Sequence, residues 1–253
     1  MFSKAIVRTP CKNLINGLTT ANLGSPNYDL ALIQHQEYIE ALRKCGLEVF
    51  VLDADEDYPD STFVEDTALL TPLCAIITNS GASSRKGETV DIRKVVSNHY
   101  SAIAEIKEPG TLEAGDIMMV GDHYYIGLSQ RTNEAGALQL IDVLESYGMT
   151  GSVIKLEKVL HLKTGVSYLE KNNFVVAGEF ITHPEFQKFN QLKIDDDGSY
   201  AANCIWVNDY VLVAKGFPKS KKIIEETGYN IIEVDVSEFQ KLDGGLSCLS
   251  LRF

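Results

Sequence analysis

Residues 203–236 read NCIWVNDYVLVAKGFPKSKKIIEETGYNIIEVDV. Two short apolar runs, CIWV and YVLVA, meet at Asn208-Asp209, a dipeptide suited to a tight hairpin turn. The stretch KSKKIIEETG then carries apolar residues at helical spacing and ends on Gly228, where a helix C-terminus wants a residue free to take φ > 0. NIIEVDV returns as a strand. The unit is strand, turn, strand, helix, strand.

Working outward, the same order recurs. Thr67 to Ile106 gives the apolar run TALLTPLCAIIT, the polar loop NSGASSRKG, the helical ETVDIRKVVSNHY and the run SAIAEI. Asp116 to Leu156 gives IMMV, a Gly-Asp-His turn, YYIGLS, the helical NEAGALQLIDVLESYG and GSVIKL. A further hairpin, VSYLEKNNFVVAG, turns at Lys171-Asn172-Asn173 and carries a reduced connection. Near the start, a helix over Asp29–Cys45 ends at Gly46 and leads into the strand LEVFVL. A unit recurring four or five times, at roughly 40–50 residues, buries its apolar faces by closing on itself, which predicts a ring of α/β blades. A doubly wound parallel sheet would need long crossovers without hairpins, and the tight turns at Asp122-His123, Asn172-Asn173 and Asn208-Asp209 argue against it. No Gly/Ser-rich or Pro-rich linker interrupts the array, so residues 1–253 are expected to form a single domain.

The 253 residues are 45% hydrophobic and 23% charged, enough to bury a core without disulfides or a structural metal. Thirty-five acids against 23 bases leave a net charge of −12. Such a surface repels phosphate backbones and anionic headgroups, so neither nucleic acid nor a membrane is expected as partner, whereas a small cationic substrate suits it. The five cysteines are scattered and never form C-x-x-C, so neither a disulfide framework nor a zinc ribbon is indicated. With no signal-peptide-like apolar stretch at the start and no membrane-length apolar run, a cytoplasmic location is expected. Phosphate-loop, dinucleotide, zincin and serine-hydrolase motifs are all missing.

Residues able to do chemistry stand just ahead of the first strand of successive units: Glu65-Asp66 in FVEDTALL, Glu113 and Asp116 in PGTLEAGDIMMV, His161 in VLHLKTGVSYL, and Cys248 in DGGLSCLSL. If the units are equivalent, these positions converge near the axis. Each has a plainer reading. Glu65-Asp66 in an apolar run needs either a bound cation or a nearby Lys or Arg. Glu113 also reads as a turn acid, His161 between two leucines as a core histidine, and Asp116 as structural. Cys248 differs from the other cysteines by its Gly244-Gly245 approach, which lets backbone come close to something else. A cysteine, a histidine and acids gathered by a fold are the ingredients of thiol nucleophile catalysis.

The strings FVEDTALL, PGTLEAGDIMMVGDHYYIG, SQRTNEAGA, LEKVLHLKTGVSYLE, SYAANCIWVN and DGGLSCLSLRF together resemble bacterial dimethylarginine dimethylaminohydrolase, of the guanidine-modifying amidinotransferase superfamily, over essentially the whole chain. The resemblance implies a five-bladed α/β propeller of ββαβ modules with pseudo-fivefold symmetry. It implies hydrolysis of Nω-methylated arginines to citrulline and a di- or monomethylamine through a covalent Cys-thiouronium intermediate, with no metal and no organic cofactor, in a homodimer. Cys248 would be the nucleophile, His161 the general acid and base, and Glu113 the carboxylate orienting His161. Glu65 and Asp66 would hold the guanidinium, Arg85 and Arg131 the α-carboxylate, and Asp60 with the carbonyls of Leu18 and Leu242 the α-amino group. An arginine deiminase-like activity on unmethylated arginine is the alternative, though such enzymes are generally longer. The polar loop at Ser83-Ser84 is a candidate lid.

Overall fold

The computed structural model describes all of residues 1–253. In chain order it comprises β1 (Lys4–Arg8), α1 (Tyr28–Lys44), β2 (Glu48–Leu52), β3 (Ala68–Leu70), β4 (Ala75–Ile77), α2 (Thr89–Val96) and β5 (Ile103–Glu105). Next come β6 (Ile117–Val120), β7 (His123–Leu128), α3 (Glu134–Ser146), β8 (Thr150–Lys155), the one-turn α4 (Leu162–Gly165), β9 (Val166–Tyr168), β10 (Asn173–Val176) and β11 (Asn190–Lys193). The chain ends with β12 (Ile205–Val207), β13 (Tyr210–Ala214), α5 (Pro218–Glu225), β14 (Asn230–Val234), α6 (Ser237–Gln240) and β15 (Leu251–Arg252).

The strands form five separate three-stranded sheets. Four are built alike, from an antiparallel hairpin whose second strand pairs in parallel with a third: β3-β4-β5, β6-β7-β8, β9-β10-β11 and β12-β13-β14. In the fifth, C-terminal β15 runs antiparallel to β1, and β1 parallel to β2, so the first and last strands of the chain close one unit. The absence of any larger sheet excludes the doubly wound alternative.

Local chemistry sets the boundaries. Asn27 and Asn133 cap α1 and α3, accepting from Leu30 N at 3.0 Å and Gly136 N at 2.8 Å. Gly46, Gly148 and Gly228 follow α1, α3 and α5 at φ of 88°, 78° and 90°, as their helix-ending places require. Two turns lie one residue earlier than the sequence reading put them. Left-handed residues precede the strand they launch: Gly121 leads through Asp122 into β7, and Glu170, Lys171 and Asn172 precede β10. The single run TALLTPLCAIIT is itself a hairpin, closed where Cys74 N donates to Thr71 Oγ1 at 3.0 Å. The reduced connection of the fourth hairpin is real, with two short 3-10 segments, Gly178–Thr182 and Pro184–Phe186, in place of an α-helix.

The apolar interior is divided into five clusters, each drawn from two consecutive sheets. Ile6 and Ile77 belong to one, Ile76 and Ile126 to the next, Tyr125 and Phe174 to a third, and Val175 and Val213 to a fourth. Leu212 and Val7 share the fifth with Tyr38 and Leu42 of α1, joining the last sheet back to the first. Middle strands send alternate side chains to opposite clusters, which is why they read as unbroken apolar runs rather than as polar-apolar alternation.

Candidate active site

Ahead of the first strand of every unit the chain makes a short helical segment: Val64–Thr67, Ala114–Asp116, α4, Asp196–Ala202 and Ser247–Leu249. The first touches the second and the fifth, and α4 touches the second and the fourth, so side chains at these places meet. Oxygen and nitrogen atoms of Asp66, Glu113 and His161 lie within 4.8 Å of one another. His161 and Cys248 line one pocket of about 30 Å³, shared with Gly115, Lys163, Tyr200 and Asn203. Gly115 must be small, because a Cβ there would stand 2.8 Å from Asp66 Oδ1 and 3.0 Å from the His161 ring.

His161 Nε2 meets Glu113 Oε2 at 2.8 Å, and its other ring nitrogen makes no hydrogen bond within the protein. The Ser80 hydroxyl and, at 3.4 Å, Ala82 N donate to the second Glu113 oxygen. Burial disfavours a charged imidazole, but Asp66, Asp116 and Glu113 outweigh it and raise the His161 pKa to about 9. Burial would raise the Glu113 carboxyl, yet the His161 bond and the Arg85 charge bring it down to about 2. The Cys248 thiol is pushed up to about 12, first by burial and then by Glu65 and Asp66, although Gly245 N lies 3.4 Å from Sγ and Lys163 opposes the rise. At rest the site therefore holds a thiol, an imidazolium and a carboxylate. Cys248 and His161 are each 9% exposed, enough to reach a ligand, while Glu113 at 1% is not.

The remaining charges are paired from within. Glu65 Oε1 accepts from Lys163 Nζ at 2.6 Å and Arg252 Nη2 at 3.4 Å, while its Oε2 is buried without any partner. Asp66 accepts from Gly115 N at 3.0 Å and from Arg85 Nη1 at 2.6 Å. Resident bases thus satisfy two of the pair's four oxygens and the Gly115 amide a third, which leaves Glu65 Oε2 without a donor. By distance, Asp66, Glu113 and His161 could surround a divalent ion. Each, however, already has a protein partner: Arg85 and Gly115 N for Asp66, Ser80 for Glu113, and Glu113 for His161.

Arg85 and Arg131, paired in the sequence reading, differ. Arg85 is buried and turns Nε to Glu88 at 3.0 Å, Nη2 to Glu88 at 2.8 Å and to the Phe63 carbonyl at 3.0 Å, and Nη1 to Asp66. One Nη1 hydrogen is left, so Arg85 can offer a carboxylate at most a single bond. Arg131 is half-buried and stands outside every ion pair, unlike the other arginines. Asp60 Oδ1 accepts from Leu18 N at 3.0 Å, and a Cβ on Gly17 would meet that same oxygen at 2.8 Å and Leu242 at 3.3 Å, which gathers Leu18, Asp60 and Leu242 at one place. Burial pushes the Asp60 carboxyl up, against the pull of Arg85.

Asn203 escaped the sequence reading. It occupies the fourth unit's equivalent place, two residues before β12, and repeat register alone would have found it. Its Nδ2 donates to the Lys163 carbonyl and to Ser247 Oγ, both at 3.0 Å, and its Oδ1 accepts from Ser247 N at 2.9 Å, fixing the backbone beside Cys248.

The sequence model of the family described as "N,N dimethylarginine dimethylhydrolase, eukaryotic" matches residues 21–200. The N(G),N(G)-dimethylarginine dimethylaminohydrolase of Pseudomonas aeruginosa is 56% identical over 254 residues, covering 100% of both chains. This chain belongs to the dimethylarginine dimethylaminohydrolase family. A cysteine-to-serine mutant of the Pseudomonas aeruginosa dimethylarginine dimethylaminohydrolase complexed with citrulline superposes with a TM-score of 0.99, at 55% identity and with full coverage of both chains. A dimethylarginine dimethylaminohydrolase carrying a histidine-to-glycine change, in an adduct with S-methyl-L-thiocitrulline, also gives 0.99 at 55% identity over both whole chains.

Proposed function

We propose that this member of the family hydrolyses Nω-methylated arginine, asymmetric dimethylarginine and monomethylarginine, to citrulline and di- or monomethylamine through a covalent adduct on Cys248. The observation that carries the reading is the shared pocket of Cys248 and a His161 held on Glu113, with Glu65, whose Oε2 is buried without a partner, close enough to push the Cys248 thiol up. That buried oxygen needs a donor, and a substrate guanidinium supplies N–H groups and charge together.

A guanidinium carbon is a poor electrophile, so the nucleophile must be a thiolate and the ion must be held still. Arrival of the cation beside Cys248 offsets the carboxylates that keep the thiol protonated, and the thiol gives its proton to solvent as substrate binds. Sulfur attacks the carbon, and imidazolium His161 gives its proton to the methylated nitrogen, which leaves as the C–N bond breaks. Neutral His161 then takes a proton from water as that water adds to the thiouronium carbon. Collapse breaks the C–S bond as the adduct's hydroxyl becomes the citrulline carbonyl and its proton passes to the departing sulfur, with the thiol and the imidazolium restored. Glu113 keeps one tautomer facing the reaction throughout. At the outer end, Arg131 with the remaining Arg85 hydrogen takes the α-carboxylate, and Asp60 with the Leu18 and Leu242 carbonyls takes the α-amino group.

The five sheets are read as blades of a single propeller domain, residues 1–253, around a pseudo-fivefold axis. Support comes from the cyclic run of apolar clusters and from contacts of β15 with β3, β6 with β9, and β9 with β12. Dimerisation and a cytoplasmic location belong to the same reading; no helix is long and apolar enough to cross a membrane.

The deciding experiment incubates the protein with asymmetric dimethylarginine, arginine and agmatine in parallel. Dimethylamine and citrulline from the first, with little turnover of the others, is the expected result. Ammonia from unmethylated arginine at the higher rate would replace it with the deiminase reading.

A further inference from the structure

Asp116 and Ser129 are untouched by the mechanism above, yet one buried polar network runs through them. Asp116 is fully buried, with Oδ1 accepting from Leu162 N at 3.0 Å and Oδ2 accepting from the Ser129 hydroxyl at 2.6 Å. Ser129 Oγ accepts in turn from Arg131 N at 2.9 Å and Thr132 N at 3.1 Å. The Thr132 hydroxyl accepts from Glu113 N at 3.1 Å. One carboxylate thus reaches the peptide after His161, the peptide of Glu113 and the peptide of Arg131.

From this geometry we infer that Asp116, relayed by Ser129, is the positioning residue that sets proton-transfer pair and carboxylate-binding arginine in register with each other. The inference rests on the functional reading given above and deepens it. Arg131 has no acid to hold it, so its backbone anchor is what fixes where its guanidinium points. Glu113 and His161 come from different units, and a shift of either by about 1 Å would spoil an alignment that hydrogen-bond transfer demands. Space enforces the arrangement as well, since a Cβ on Gly127 would press on Asp116 Oδ1 at 3.0 Å.

Asp116 also acts on His161 through charge. The groups facing that ring are Asp66, Glu113 and Asp116, with Lys163 and Cys248 across the pocket and Arg85 behind Glu113. Burial pushes the Asp116 carboxyl up, while His161, Ser129 and Leu162 N oppose that and favour the charged form.

Asp116→Asn removes a negative charge and turns an amide N–H₂ toward a hydroxyl that must donate. Expected are a fall in kcat of roughly 10–100-fold with KM changed less than about threefold, and a His161 titration moved roughly one pH unit lower. The titration is followed by NMR of labelled histidine, assigned by loss of its signal in His161→Gln. Ser129→Ala frees the Arg131 and Thr132 amides, so both parameters change, with KM raised about 5–10-fold, and Ser129→Thr, which keeps the hydroxyl, restores them. Folded Asp116→Asn with wild-type kcat and an unmoved His161 titration overturns the inference, as does Ser129→Thr behaving like Ser129→Ala. If Asp116→Asn does not fold, the Ser129 pair decides alone. The NMR arm needs no turnover, so a wild-type protein that releases no methylamine would sink the functional reading while still testing this one.

Discussion

The two ends of the proposed substrate site are built on opposite plans. At the deep end, Glu65 Oε1, Asp66 and Glu113 have protein partners before any ligand arrives, and Arg85, which reaches both Asp66 and the Asp60 carbonyl and so joins the two ends, spends nearly all its donors on Asp66, Glu88 and a carbonyl. At the mouth, Arg131 has no acid partner and Asp60 accepts only a backbone amide. The deep end is organised by folding, so electrostatic stabilisation of the reaction needs no rearrangement there. In the proposed reading the mouth is completed by the zwitterionic end of the substrate. Loss of a deep residue should therefore damage chemistry or stability, and loss of a mouth residue should damage binding.

The largest effect belongs to the nucleophile. Cys248→Ser is expected to lower kcat by at least ~10³-fold, since an alkoxide is not accessible in a site that already resists a thiolate. The fold should be unchanged, because serine fits and the neighbouring peptides are held by Asn203, by Tyr38 OH on the Leu246 carbonyl at 2.9 Å and by Tyr200 OH on the Gly244 carbonyl at 2.8 Å. Mass spectrometry after acid quench should detect a thiouronium adduct in wild type and none in the variant. Ten per cent residual turnover would break the deep-end assignment.

The arginines provide the sharpest contrast. Arg85→Ala strands two buried carboxylates, Asp66 and Glu88, and should cost ~3–5 kcal/mol of stability, visible as a Tm lower by roughly 10 °C. Arg131→Ala should leave Tm alone and raise KM about 10–100-fold with kcat nearly constant. Agmatine, which has no carboxylate, should not distinguish Arg131→Ala from wild type. A rise in KM alone for both variants would mean that the two arginines act alike after all.

What the sequence disclosed and what it hid follow the same division between near and far. Hairpins at Asn208-Asp209 and helix ends at Gly46, Gly148 and Gly228 were legible because turn chemistry is local. The convergence of Cys248, His161 and the acids was legible only through the repeat, which turns distant positions into equivalent ones. The Arg85 cage and the Glu65 bonds to Lys163 and Arg252 had no such signal. Glu65 lies 98 residues from Lys163 and 187 from Arg252, and neither composition nor period specifies which base meets which acid.

Stability against pH tests the deep end again, with smaller effects. His161 has its pKa raised from an ordinary 6.5 to about 9, so its contribution is complete below about 6.5 and is lost as pH rises through 9. Glu113 is lowered from 4.5 to about 2, so its contribution is present above 4.5 and is lost as pH falls toward 2. The Tm difference between wild type and Glu113→Gln should be widest between pH 4.5 and 6.5 and shrink on either side. A difference that grows above pH 9 would mean that the pair is not charged in the folded protein.

The mildest prediction concerns what covers the mouth. Ser83 and Ser84 lie in the 3-10 segment Ser83–Glu88, which Arg85 pins from inside, whereas Leu18 to Ser25 is mostly exposed and held by few bonds. Thr19 donates to the Lys241 carbonyl at 2.8 Å, and Thr20 donates its hydroxyl to Asp243 Oδ2 at 3.0 Å. Asp243 itself sits at φ 58°, in the left-handed region, and lines the Cys248 pocket. The 18–25 segment is thus latched to the stretch that leads into the nucleophile, which predicts that it, rather than Ser83-Ser84, closes over a bound ligand. Thr20→Val removes one exposed hydrogen bond to a charged group, about 0.5–1.5 kcal/mol, and should raise KM two- to fivefold with kcat unchanged. Hydrogen exchange should slow over 18–25 when citrulline binds and change less over 83–84; slowing confined to 83–84 would return the cover to the Ser83-Ser84 loop and leave Asp243 with a purely local turn to hold.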